Sequence, residues 1–155
     1  MITRQYDLAL DFTRKALELD ANHSLAHVFV GEAYVQKGMF EQGIAELERA
    51  RTVIGDDQDE IAMIGDAYGM WGKKDEARKR LEELNERAKQ RWTSAFTRAI
   101  VHVGLGQKDR AFEWLDNAYQ ERDSWLVYVK PWPPFDSIRS DPRYLDLLRR
   151  VGLPP

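Results

Sequence analysis

Cysteine is absent from the 155 residues. That excludes a disulfide framework, a thiolate nucleophile and a thiolate metal site. A surplus of positive charge is also lacking, since 23 Lys and Arg stand against 26 Asp and Glu for a formal net charge of −3. Nucleic-acid binding needs Lys and Arg gathered on one face to meet phosphates, so the balance argues against it and leaves room only for a local basic patch. No run of about 18 apolar residues exists to span a membrane. The first residues, MITRQYDLALDF, lack the apolar core and small-residue cleavage site of a secretion signal. By these absences the expected location is the cytoplasm. What is present is a core: 43 % of residues are hydrophobic, with five Trp, six Tyr and six Phe, and the length suits one domain.

The chain repeats itself. Gly38, Gly72 and Gly106 stand 34 residues apart, and the same step links Gly31, Gly65 and Ala99, then Tyr34, Tyr68 and His102, then Gly43, Ala77 and Ala111, then Leu47, Leu81 and Leu115. A period of this size marks stacked supersecondary units, none able to bury its apolar face alone. Each unit, counted from Ser24, Gln58 and Trp92, reads as a first helix ending at a Gly, a short turn and a second helix. Gly fits that place because it enters the left-handed conformation that stops a helix. Small residues at the eighth and twentieth positions let the paired helices approach closely.

Projected backward, the period places Ala9 and Ala16 of YDLALDFTRKALELDANH on a second helix whose first helix is missing. Either that helix is not needed or the chain is a C-terminal piece of a longer protein. The second is favoured, because Leu10, Ala9 and Leu17 would otherwise expose an apolar stripe. The expected organisation is a single domain over 1–155: a truncated repeat over 1–20, full repeats over 24–57, 58–91 and 92–123, and a C-terminal cap over 124–155.

First helices such as LAHVFVGEAYV and EIAMIGDAYGM are apolar on more than one face, whereas second helices such as KDEARKRLEELNERAKQR are charged and amphipathic. First helices therefore belong to an inner layer. Their second, fifth, ninth and twelfth positions form an inner stripe: Leu25, Val28, Glu32 and Val35, then Asp59, Ala62, Asp66 and Gly69, then Thr93, Phe96, Ile100 and Val103. Excepting Gly69, these are the candidate protein-binding residues. Glu32, Asp59 and Asp66 either suit the stripe to a neutral or basic, partly apolar segment or merely solvate an open concave face.

After Arg122 the period fades. SWLVYVK reads as a further first helix of about two turns before Pro131 stops it, PWPPF as a rigid extended link, and SDPRYLDLLRRVG as a closing helix capped by Ser140 or Asp141 and stopped by Gly152. The segment is a cap for the last repeat, or its Trp125, Tyr128, Trp132 and Phe135 form an exposed aromatic docking patch.

These units resemble the tetratricopeptide repeat (TPR). The likeness lies in the eighth position (Gly31, Gly65, Ala99), the eleventh (Tyr34, Tyr68), the twentieth (Gly43, Ala77, Ala111) and the twenty-seventh (Ala50, Leu84, Ala118). It covers residues 6 to 122. The fourth position, with His27, Ile61 and Ala95, departs from the pattern, and Gly55, Lys89 and Asp123 stand where the family has Pro. The resemblance implies an all-α, right-handed superhelical solenoid of antiparallel helix hairpins with a C-terminal capping helix, binding a protein or peptide without catalysis and without a cofactor. The last residues are similar to the ends of TPR arrays in large bacterial regulatory proteins, which implies an upstream effector domain. One TPR subgroup clamps chaperone-tail carboxylates with Lys, Arg and Asn, and none of the twelve stripe positions carries those residues. The alternative from another class is a homo-oligomer stacking through the open N-terminal helix.

Other constellations are weaker. His23 and His27 stand four apart, but His23 precedes the helix and His27 takes a packing position, so they read as structural and no metal site is expected. His102 reads as a half-buried histidine. No Ser-His-Asp order, paired buried carboxylates or phosphate-cradling loop can be assembled, so no enzyme is expected. Met63, Met70 and Trp71 are groove contacts or packing.

Overall fold

The computed structural model describes residues 2–154, with the side chains of residues 2–6 and of residue 9 outside that description. Ala9 of the expected outward stripe therefore lies outside the described side chains. Eight α-helices are seen among the described residues: α1 (Ile2–Leu19), α2 (Ser24–Gln36), α3 (Phe40–Ile54), α4 (Gln58–Met70), α5 (Lys74–Gln90), α6 (Ala95–Gly104), α7 (Lys108–Gln120) and α8 (Pro142–Val151). Two 3₁₀ helices, Ser124–Val129 and Pro133–Ile138, lie between α7 and α8. The protein is all-α, and its helices pack pairwise in sequence.

Local chemistry explains where the helices begin and end. The starts of α2, α4, α6 and α8 are capped by side chains that accept an otherwise orphaned amide: His23 from Ala26 N at 3.3 Å, Asp57 from Asp59 N at 2.9 Å, Ser94 from Phe96 N at 3.1 Å and Asp141 from Arg143 N at 3.0 Å. Each of the three hairpins turns at Gly38, Gly72 or Gly106, at φ of 75°, 82° and 72°, a conformation open to glycine at little steric cost.

The leading helices α2, α4 and α6 are the buried layer. In α4 every residue from Glu60 to Ala67 is buried, whereas in α5 only Ala77 and Leu84 are. The outer face of α5 carries Asp75–Arg78 and Glu76–Lys79 pairs at 2.7 Å, the solvated pattern its mixed charges suggest. Arg80 reaches Glu48 of α3 at 2.8 Å and Glu83 at 2.9 Å, tying neighbouring outer helices together.

Within the first hairpin a Cβ on Gly31 would stand 2.8 Å from Leu47 Cγ, and one on Gly43 2.6 Å from Val35 Cγ2, so the small residues do permit close approach. Closer still is the crossing of α4 and α6. A Cβ on Gly69 would lie 2.4 Å from the carbonyl carbon of Gly104, and one on Gly104 would lie 2.7 Å from Asp66 Cα. At the opposite end of the same helix pair, Gln58 Oε1 accepts from Ser94 N at 2.7 Å, and the Ser94 hydroxyl donates to Asp123, stitching the starts of α4, α6 and the first 3₁₀ helix.

Three expectations need correction. Leu10 is not on an outward stripe. It is 3 % exposed and packs with Val30 and Ala33 of α2, and among the described side chains the apolar residues facing outward from α1 are Leu8, Phe12 and Leu19. Ser124–Val129 is a 3₁₀ helix rather than a short α-helix, and PWPPF is not an extended link because Pro133 opens a second 3₁₀ helix. Residues three apart eclipse in a 3₁₀ helix. Both segments use this to bury a pair on one side, Leu126 with Val129 and Phe135 with Ile138.

The closing helix follows the sequence reading, with Asp141 as its cap and Gly152 at φ 80° as its stop. Arg143 donates to Asp109 at 2.8 Å and lies 4.3 Å from the Phe112 ring centre, fastening α8 to α7. Tyr144 Oη donates to the Val129 carbonyl at 3.2 Å.

Candidate functional site

The inner stripe is not left free as expected. Phe96 is 1 % exposed because the C-terminal segment crosses it: Phe96 meets Phe135 at 5.1 Å and Trp132 at 6.0 Å between ring centres. Ala62, Thr93, Ile100 and Val103 are likewise buried, as are Val28, Val35 and Asp66. The physical reason lies in the fading period after Arg122. An aromatic, proline-rich tail with no repeat partner buries its own apolar surface against the nearest apolar face, which is that stripe.

What stays accessible is the mouth of the stripe's first part, where Leu25 is exposed, Glu32 and Asp59 are half-buried and Val28 lies beneath them. Leu25, Val28, Glu32 and Asp59 come together at a cavity of about 470 Å³ between α2, α4 and the first 3₁₀ helix. Phe29, Glu60, Met63 and the tail residues Trp125, Tyr128, Pro131 and Trp132 complete it. Of the four tail aromatics, Phe135 is core, Trp125 and Trp132 are half-buried and Tyr128 is exposed. The rim is apolar, with Leu25 57 % and Phe29 54 % exposed.

The floor is acidic, and none of the lining residues is basic. Trp132 Nε1–H donates to Glu32 Oε1 at 2.6 Å, joining the tail to α2 across 100 residues of sequence. Burial raises the Glu32 carboxyl above the usual carboxylate range, and the indole N–H opposes that. Asp59 is pushed up to about 7 by burial and then by the charges of Asp57, Glu60 and Asp123, with Arg87 pulling the other way. Burial also raises Glu60, which is 5 % exposed and whose Oε2 has no hydrogen-bond partner among the described residues.

Asp66 lies deeper. Its Oδ1 has no partner among the described residues, and burial followed by the Glu32 charge pushes the carboxyl up to about 8. A void of about 20 Å³ between Glu32, Val35, Asp66 and Pro134 has room for one water.

Phe29 and Glu60 were not singled out by sequence reasoning. Phe29 is adjacent to the stripe position Val28, and α2 is too uniformly apolar for periodicity to select its open side. Glu60 is a first-turn acid, a common occupant of a helix N-terminus that carries no signal of its own. Among the described residues no group of His, Asp and Glu could hold a metal ion. His23 is a helix cap, and both ring nitrogens of His27 are engaged, by Glu46 Oε2 at 2.6 Å and the Ala21 carbonyl at 2.9 Å. His102 is held through Nδ1 to Gln107 Oε1 at 2.7 Å, and burial lowers its pKa. Met63 packs in the core and lines the cavity, Met70 is exposed, and Trp71 stacks on Phe40 at 6.1 Å.

A scan against protein-family models finds no match, and a comparison with curated proteins finds none either. Among solved structures the chain is similar to one described as the crystal structure of MamA, at 17 % identity and a TM-score of 0.49, over 95 % of this chain and 89 % of that chain. A likeness of this degree says nothing about what the chain binds. Among the described residues no helix is long and apolar enough to cross a membrane.

Proposed function

We propose that the chain is a non-catalytic, tetratricopeptide-like scaffold that captures a protein or peptide segment at the mouth between α2, α4 and the first 3₁₀ helix. The observation that carries this reading is the cavity itself: of the stripe expected to receive a partner, only its first part stays open, under an exposed apolar rim. Leu25, Val28, Glu32 and Asp59 are retained as docking residues. Val35, Ala62, Asp66, Thr93, Phe96, Ile100 and Val103 are assigned to packing. Acidic floor and apolar rim together suit a segment that is neutral to basic and partly apolar.

The test is selection of peptides from a displayed library on the immobilised chain. The selected peptides bind about tenfold or more weakly to a Leu25→Glu, Phe29→Ala variant whose melting temperature is unchanged. Equal binding to the variant removes this site.

A second reading, self-association, is favoured by the exposed Leu8, Phe12 and Leu19 on α1. It predicts a dimer that Phe12→Glu disperses. Light scattering that shows a monomer at high concentration ends it.

A further inference from the structure

Glu32 is engaged by Trp132, and the other acids in and beside the cavity fall into two kinds. Asp57 and Asp123 are structurally employed: Asp57 accepts from Asp59 N at 2.9 Å, and Asp123 accepts from Trp125 N at 3.0 Å and from the Ser94 hydroxyl. Asp59 and Glu60 are not. The Asp59 carboxylate accepts no hydrogen bond among the described residues, and Glu60 accepts one only from its own backbone N–H and keeps an unpartnered carboxylate oxygen while only 5 % exposed. Capping explains the first pair and does not explain the second, which ties no other element in place and is opposed only by the charges of Arg87 and Arg51.

An unpaired carboxylate out of water is unfavourable, and it is tolerated where a counter-charge arrives with a ligand. The walls above these carboxylates are the aromatic residues Phe29, Trp125 and Tyr128, with Trp125 and Tyr128 already packed together at 5.2 Å. Aromatic faces attract a cation, and most strongly where water is excluded. Aromatic walls over an acidic floor, with no basic lining residue, complement an organic cation and disfavour both an anion and a plain alkyl chain.

We infer that the cavity between α2, α4 and the first 3₁₀ helix receives one basic side chain, lysine or arginine, of the docked segment, with its charge against Asp59 and Glu60 and its stem against Phe29, Trp125 and Tyr128. This rests on the scaffold reading and adds the chemistry of what enters. The Trp132–Glu32 hydrogen bond closes the inner end, so the side chain enters from the rim of Leu25 and Phe29.

The two indole N–H resonances of Trp125 and Trp132 in the isotope-labelled full chain report the site directly. The probes are acetyl-Leu-Lys-Leu-amide, its arginine counterpart and its norleucine counterpart. Lysine and arginine peptides shift the indole signals and saturate, while the norleucine peptide binds about tenfold or more weakly. Raising the salt weakens the lysine peptide and leaves the norleucine peptide unaffected, a comparison made on the unaltered protein. Asp59→Asn with Glu60→Gln brings the lysine peptide down to the norleucine level, with the melting curve confirming the fold.

Equal affinity for lysine and norleucine peptides overturns the cation pocket and leaves the scaffold reading standing. If no peptide moves either indole signal, both fall.

Discussion

Two junctions join the leading helices of successive hairpins, and they are built differently. At the second, α4 and α6 touch backbone to backbone through Gly69 and Gly104. At the first, α2 and α4 barely touch, and a cavity lies between them. One repeat earlier than Gly69 and Gly104 stand Val35 and Met70. With Cβ atoms at those places the approach seen at the second junction is sterically closed. The helices stay apart, the tail enters with Trp132, and part of the gap remains open. A cleft in a repeat array can thus arise from a departure at one or two positions, rather than from the residues that define the repeat.

The largest expected difference between the junctions is between two phenylalanines. Phe96→Ala, at the closed junction, should lower stability by about 3–5 kcal/mol, whereas Phe29→Ala, at the open one, should change it by about 0.5 kcal/mol or less. Denaturant titration measures both, and similar losses would erase the distinction.

Next comes pH. Asp66 ionises near 3.8 when unfolded and near 8 when folded, so the folded state holds a proton the unfolded state has lost. Stability is then fully present below about pH 4 and declines as pH rises towards about 8. Asp59, raised to about 7 at the open junction, contributes with the same sign. Asp66→Asn should flatten the melting-temperature profile across this window more than Asp59→Asn does. The reverse order would place the more strongly buried carboxyl at the wrong junction.

Gly69→Val should lower stability by about 1–3 kcal/mol through overpacking, against about 0.5 kcal/mol or less for Met70→Ala one residue away. A smaller loss than that of Gly69→Val is expected of Trp132→Phe. It removes the donor to Glu32 and should lower stability by about 1 kcal/mol. In the same variant the Trp125 indole signal should move, because the inner wall of the cavity is released from Glu32.

The repeat was legible because several positions carry the same step at once, and because Gly38, Gly72 and Gly106 each need the left-handed conformation they adopt. The closing helix was legible from Asp141, Pro142 and Gly152, whose chemistry is local. The covering of the stripe was not. Trp132 meets Glu32 over 100 residues, and no period connects a tail to the first hairpin. Gly69 was visible as a stripe position, yet its role depends on Gly104, and that pairing exists only once two helices are placed in space. On α1 the direction of the apolar face was misjudged, since Leu10 turns towards Val30 and Ala33 rather than outward.

The indole bond from Trp132 to Glu32 also bears on how the protein comes apart. An open array of hairpins unfolds by fraying from its ends, each unit held only by its neighbours. Here the last segment is fastened to the first hairpin, so a loosened terminus withdraws support from the opposite end. Melting should therefore be sharp and concerted rather than sequential, and folding should wait on a contact that closes late in synthesis, when the ribosome has released residue 132.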